Sequence, residues 1–208
     1  MTQGVMETIR DLIVRREFTV GQQLHQEQLA AKLGVSRIPI REALKGLEAQ
    51  RLVAHEPNRG YFVASLNVGQ LREVYLMRRL LETEILSTAE WPDPLKLQAI
   101  RQTHSELSAA TSKGAVNRAI ALNRQFHFEI FALSPLSEIT REVQRLWHLS
   151  EQYRAVYLSM EFARERVVAE HSQMIKALRD RDRRRLISLA NQHRKAAEQQ
   201  VIALLADT

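Results

Sequence analysis

From Asn67 to Ala206, apolar side chains recur at three- and four-residue spacing with hardly a break, and this period constrains the fold more than any other feature. It predicts helices at about 67–90, 94–112, 115–133, 136–160, 163–180 and 183–206. The breaks fall at Trp91-Pro92-Asp93-Pro94, Lys113-Gly114, Ser134-Pro135 and the charged stretch 179–185. Seven Gly and five Pro in 208 residues are too few for the tight turns of an all-β protein. The only convincing strand signal lies earlier, where residues 52–55 and 61–64 flank a turn-rich Glu56-Pro57-Asn58-Arg59-Gly60.

Upstream of that hairpin, Val5, Ile9, Leu12 and Ile13 mark a first helix over residues 5–17, and residues 26–33 a short second one. Gly34-Val35-Ser36 forms a tight turn, with Gly34 free to take positive φ and Ser36 a good N-cap. A third helix runs from Arg37 to about Gln50; Pro39 fits its first turn, where N–H groups have no intrahelical partner. The expected fold is therefore mainly α. Residues 1–66 form a small winged helix-turn-helix, and residues 67–208 an all-helical bundle.

Composition excludes several function classes. With no cysteine, disulfide scaffolds, Cys-zinc sites and thiol catalysis are ruled out. No apolar run approaches the roughly 18 residues of a membrane helix, and the amphipathic, acid-bearing N-terminus does not resemble a secretory signal, so the expected location is cytoplasmic and no membrane partner is expected. The net charge of +6 is spread along the chain, with nine basic and seven acidic residues in 1–66. It permits a polyanionic partner without requiring one.

The placement of the charge says more. Arg37, Arg41 and Lys45 recur every four residues as one basic stripe, opposite the apolar stripe Ile40, Leu44 and Leu47. In a winged helix-turn-helix the third helix enters the major groove of double-stranded DNA, where arginine presents a bidentate fork to guanine or phosphate. Arg59 at the hairpin tip, with Gly60 permitting close backbone approach, reaches a neighbouring groove or phosphate. The competing reading is a solvated face paired with Glu42 and Glu48. The segment LAAKLGVSRIPIREAL (residues 29–44), continued by Leu47 and Leu52-Val53, closely resembles the signature of the GntR family of bacterial transcription regulators. The resemblance covers residues 21–65 and implies DNA contacts from Ser36, Arg37, Arg41 and the wing around Arg59-Gly60. Some relatives also use an arginine on the second helix, where this chain has Gln26-Glu27-Gln28.

The second constellation is histidine-rich. His127, His171 and His193 each fall within an apolar helical stripe, and Asn123 sits one turn before His127. Three inward imidazoles on three helices are one way in which bundle cores build metal sites; the alternative is that each is a core histidine bonded to a neighbour. His104 lies on a more diluted stripe. Residues 67–206 resemble the FCD-type effector domain of the FadR subfamily through Arg78 to Glu82, Asn123-Arg-Gln-Phe-His127, Glu170-His171 and His193. That resemblance implies a divalent metal of the zinc, nickel or manganese class on Asn123, His127, His171 and His193. It also implies a small carboxylate effector helped by Arg78. Many relatives have aspartate where this chain has Asn123, an amide that can ligate but brings no charge.

Together these readings predict a homodimeric, ligand-responsive repressor that binds operator DNA and is not an enzyme. The competing function is a helical metalloenzyme hydrolysing its substrate at the three histidines, although no HExxH motif accompanies them. A metal-independent effector domain is the third reading. The run 179–185, with its signs alternating, reads as a solvated helix–helix corner.

Overall fold

The computed structural model describes residues 2–14, 17–65 and 67–206. Two compact units result, Met1–Asn67 with His148–Gln152, and Val68–Trp147 with Tyr153–Thr208. The expected boundary at residue 66, and positions 15 and 16 of the first expected helix (5–17), lie outside the described residues; Glu17, the expected last residue of that helix, lies in a bend.

The first unit contains α1 (Thr2–Val14), β1 (Gln23–Leu24), α2 (Gln26–Leu33), α3 (Arg37–Ala49), β2 (Val53–Glu56) and β3 (Gly60–Val63). The strands form one antiparallel sheet in the order β1-β3-β2, with Gln23 opposite Phe62 and Ala54 opposite Phe62 from the other side. The hairpin is where the sequence puts it; the two-residue β1 is additional, too short for any period to reveal. α2 ends on Gly34 at φ 65°, whose N–H reaches back to the carbonyls of Ala30 and Ala31. That left-handed residue turns the chain so that Ser36, extended at ψ 169°, starts α3. Ile40, Ala43, Leu44 and Leu47 are fully buried against Ile9, Ile13 and Leu29 of the other helices. Gly46 lets α1 approach closely, because a Cβ there would lie 2.8 Å from the Met6 sulfur.

Beyond residue 67 the chain is helical: α4 (Val68–Thr88), α5 (Pro94–Ser112), α6 (Val116–Phe131), α7 (Ser137–Leu149), α8 (Glu151–Ser159), α9 (Glu161–Arg179) and α10 (Arg183–Ala206). Asp93 caps α5 by accepting from the Lys96 N–H, with Pro94 in the first turn. The single helix expected over 136–160 is divided at Ser150, a break that no change of apolar period announces. α4, α10, α9, α5 and α6 pack in a closed ring, each against the next. The corner between α9 and α10 is exposed and charged as expected, with one exception. Arg183 donates to the carbonyls of Leu86 and Ala89 and lies over the Trp91 ring, closing the C-terminal end of α4.

Candidate functional site

On the first unit, α3 presents Ser36, Arg37, Arg41 and Lys45 to solvent, all exposed. The Ser36 hydroxyl makes no capping bond, so it is free for another acceptor. Each cation has an acidic neighbour: Arg37 meets Glu27 at 2.5 Å, and Arg41 and Lys45 share Glu42 at 3.5 and 3.4 Å. Exposed pairs of this kind contribute about 0–1 kcal/mol, so they offer little resistance to exchange for phosphate or base. Glu27 belongs to the Gln26-Glu27-Gln28 stretch of α2, which thus holds Arg37 through an acid. Arg59 is exposed at the wing, paired with Glu56 and stacked 5.1 Å from the Phe62 ring centre. Gly60 has φ 93°, a left-handed conformation that favours glycine.

In the second unit the three sequence-chosen imidazoles come together. One ligating nitrogen each from His127, His171 and His193 lies within 4.8 Å of the others, and these side chains come from α6, α9 and α10. His127 Nε2 and His171 Nε2 are 3.2 Å apart. Phe126, face to face with His171 at 3.9 Å between ring centres, fixes that imidazole's plane. Burial lowers the pKa of His127 and His171 well below the ordinary value, and the surrounding positive charges push in the same direction. Both rings therefore keep a lone pair at neutral pH, the state a metal needs. His104 behaves differently: its Nε2 is satisfied by the Ser172 hydroxyl at 2.9 Å and the Val168 carbonyl at 3.2 Å.

His193 lies on the rim rather than in the core. The buried positions of α10 are Leu186, Ala190, Arg194, Ala197 and Val201, so the apolar stripe is centred on Arg194 and His193 is half-buried beside it. Its Nδ1 contacts the Glu170 carboxylate at 2.5 Å. This contact leaves Nε2 available as a ligand, and a carboxylate on the other nitrogen is what commonly orients ligating histidines. Burial raises the Glu170 pKa, but the His193 contact and Arg166 outweigh it and hold the carboxyl low.

Asn123 is 5% exposed, and its Oδ1 has no hydrogen-bond partner among the described residues; His171 Nδ1 is likewise buried and unpartnered. An orphaned amide oxygen one helical turn from His127 is a donor waiting for an acceptor of electron density, and with the three imidazoles it makes an N3O set that suits a borderline divalent cation. The residues fit such an ion.

Arg78 is buried at 4% exposure. Its Nε donates to Glu82 at 2.8 Å, and its guanidinium lies over the rings of Trp147 and Tyr75. Glu82 is a hub that the sequence reading named only as part of a motif. It also accepts from Trp147 Nε1 at 2.8 Å and from Arg194 at 2.7 Å. Burial pushes its pKa up, but Arg78 and Arg194 prevail and hold it at about 2. Two small cavities of about 20 Å³ adjoin the histidines, sharing Arg78, His193 and Arg194 in their walls. Each has room for about one water or a single ion. The first also has Asn123, Arg154, Tyr75 and Tyr157 in its wall, and both tyrosine hydroxyls are buried without a partner. Arg154, Arg194, Tyr75, Tyr157 and Glu170 were all missed as site residues from sequence.

Comparisons with known proteins agree with this division. Residues 1–63 match the bacterial regulatory proteins of the gntR family, and residues 73–196 match the FCD domain. The chain is 24% identical over 197 residues to the uncharacterized HTH-type transcriptional regulator YdhC of Bacillus subtilis, covering 94% of this chain and 83% of that protein. It is 26% identical over 196 residues to the HTH-type transcriptional repressor GlaR of Escherichia coli, covering 89% and 88%. Among solved structures, Escherichia coli McbR/YncC shares the fold with a TM-score of 0.84 at 23% identity, over 99% of this chain and 97% of the other.

Proposed function

This chain belongs to the GntR family and is a DNA-binding transcription regulator with an FCD effector domain, and from that premise we propose that it is a repressor governed by a metal-dependent organic-acid effector. Such a chain is a regulator and not an enzyme, so the metalloenzyme reading falls. The observation that carries the proposal is the convergence of His127, His171 and His193 beside cavities lined by three arginines. Asn123 and the three histidines would hold a divalent ion, which supplies positive charge and open coordination positions for a carboxylate. Arg78, Arg154 and Arg194 all line the cavity beside the histidines, and guanidinium groups so placed favour an anionic ligand. The Tyr75 and Tyr157 hydroxyls add two donors for its oxygens.

DNA contacts are assigned to Ser36, Arg37, Arg41, Lys45, Arg59 and Gly60, with the protein acting in the cytoplasm. None of the helices among the described residues is long and apolar enough to cross a membrane. Homodimerisation through the helical unit is supported by Leu76, Met77 and Leu80, which lie exposed on α4 at 48%, 38% and 56%. Two heads then meet two half-sites of a pseudo-palindrome, as the symmetry of a dimer requires. Because effector and operator binding are linked, an effector that releases DNA must itself bind more weakly in the presence of operator.

The test combines three measurements on the full chain. Arg37→Ala with Arg41→Ala should abolish the specific complex in gel shifts. Elemental analysis of tag-free protein should find about one metal ion per chain, and His171→Ala should lose it. Small organic acids should raise the melting temperature only without chelator. Equal metal content in wild type and His171→Ala overturns the metal reading. A chelator-insensitive shift favours an effector bound by the histidines directly.

A further inference from the structure

Ile38 stands apart from the other large apolar side chains of the first unit. It lies in the first turn of α3, between Arg37 and Arg41, and is 66% exposed. Among the described residues of that unit, only Val20, at 46%, is also large, apolar and exposed. The core does not need Ile38, because Ile40, Ala43, Leu44 and Leu47 already fill the inner face of α3. Helix propensity does not favour it either, since β-branched side chains lose rotamer freedom in a helix.

Its position on the helix decides what it meets. At about 100° per residue, Arg37, Arg41, Lys45 and Ile38 fall within an arc of about 100°. Whatever the basic stripe faces, Ile38 faces too. Pro39 follows directly and fixes its own φ, and isoleucine is stiff at χ1, so the side chain is held out with little freedom to fold away. In the major groove of B-DNA the apolar feature on a base edge is the thymine C5-methyl group, and aliphatic side chains read it by contact.

We propose that Ile38 is a specificity determinant that packs against the thymine C5-methyl at one fixed position of each operator half-site. The inference rests on α3 being the recognition helix. It adds a requirement for T·A at a position that the arginines, which read acceptors, do not specify.

The experiment removes the methyl and nothing else. A duplex enriched by the full-length protein from a random pool is resynthesised with deoxyuridine in place of thymidine, one position at a time. Dissociation constants are measured by fluorescence anisotropy at fixed salt. At one symmetric pair of positions the substitution should weaken binding about fourfold per half-site, the factor that about 0.8 kcal/mol for one buried methyl corresponds to. Ile38→Ala should bind the thymidine duplex more weakly by a similar factor and no longer distinguish it from the uridine duplex, whereas Ile38→Val should still do so. Circular dichroism checks that both variants fold. Uniform tolerance of deoxyuridine, or undiminished uridine sensitivity in Ile38→Ala, overturns the proposal. Arg37→Ala with Arg41→Ala separates the two levels of failure. If that double variant loses the enriched duplex while uridine has no effect, only the Ile38 assignment falls; if it still binds specifically, the recognition-helix reading falls as well.

Discussion

Glutamine in place of Glu82 changes one oxygen to nitrogen and removes a carboxylate bonded to two buried arginines. Glu82 is 3% exposed and accepts from Arg78, Arg194 and Trp147. Its pKa is held at about 2 against an ordinary 4.5. The shift of about 2.5 units corresponds to about 3 kcal/mol of stability at neutral pH, at about 1.4 kcal/mol per unit. Breaking a buried ion pair by removing one partner costs about 3–5 kcal/mol, which agrees. At about 2–4 °C per kcal/mol, Glu82→Gln should lower the transition of the helical unit by about 6–12 °C.

The readout is selective, because the two tryptophans, Trp91 and Trp147, both lie in that unit and report its unfolding. The pH dependence makes the test sharper. A depressed carboxyl pKa gives stability that is complete above the unfolded value of 4.5 and disappears as pH falls through 2. The wild-type-minus-variant difference should therefore be flat from pH 7 to about 5 and be more than halved by pH 3. His127 and His171, buried neutral, also weaken the fold as acid charges them in the unfolded chain, but that loss is common to both proteins and cancels. A loss below about 2 °C, or a difference independent of pH, would refute the charge argument.

Other consequences follow from single contacts. Glu170→Gln weakens the partner of His193 Nδ1, and metal affinity measured by calorimetry on stripped protein should fall by about 10–100-fold with the fold intact. Leu44→Ala empties a fully buried position in the first unit and should cost about 2–5 kcal/mol there. Specific DNA binding should weaken as that unit opens, while the tryptophan transition of the other stays in place. Gly60→Ala forces a Cβ into φ 93° and should destabilise the wing by more than about 1 kcal/mol, seen as faster amide exchange in β2 and β3. Glutamates at both Leu76 and Leu80 should shift sedimentation from dimer to monomer; an unchanged dimer moves the interface elsewhere.

Much of this molecule was legible because its elements are long and periodic. Six helical segments beyond residue 67, the hairpin and the inward positions of His127 and His171 follow from spacing, whereas His193 lies beside its stripe and not within it. What was not legible depends on which helix meets which. The Ser150 break interrupts no apolar period, and β1 is two residues long. The Glu82 hub joins residues up to 112 positions apart through closure of the helical ring, which no local pattern encodes. Yet a usable signal was present. The buried face of α4 reads Leu71, Val74, Tyr75, Arg78, Glu82, Ile85 and Leu86, so two charges stand inside an apolar stripe. On α10 the spacing of Leu186, Ala190, Ala197 and Val201 places Arg194 in the same situation. Charges buried on separate helices must find one another, since isolation costs more than the fold can spare. Two inward arginines and one inward glutamate on α4 and α10 are thus a readable sign of the hub. Burial, more than that charge, keeps His127 and His171 neutral, and the arginines beside them are what makes an anion the ligand proposed for that corner of the bundle.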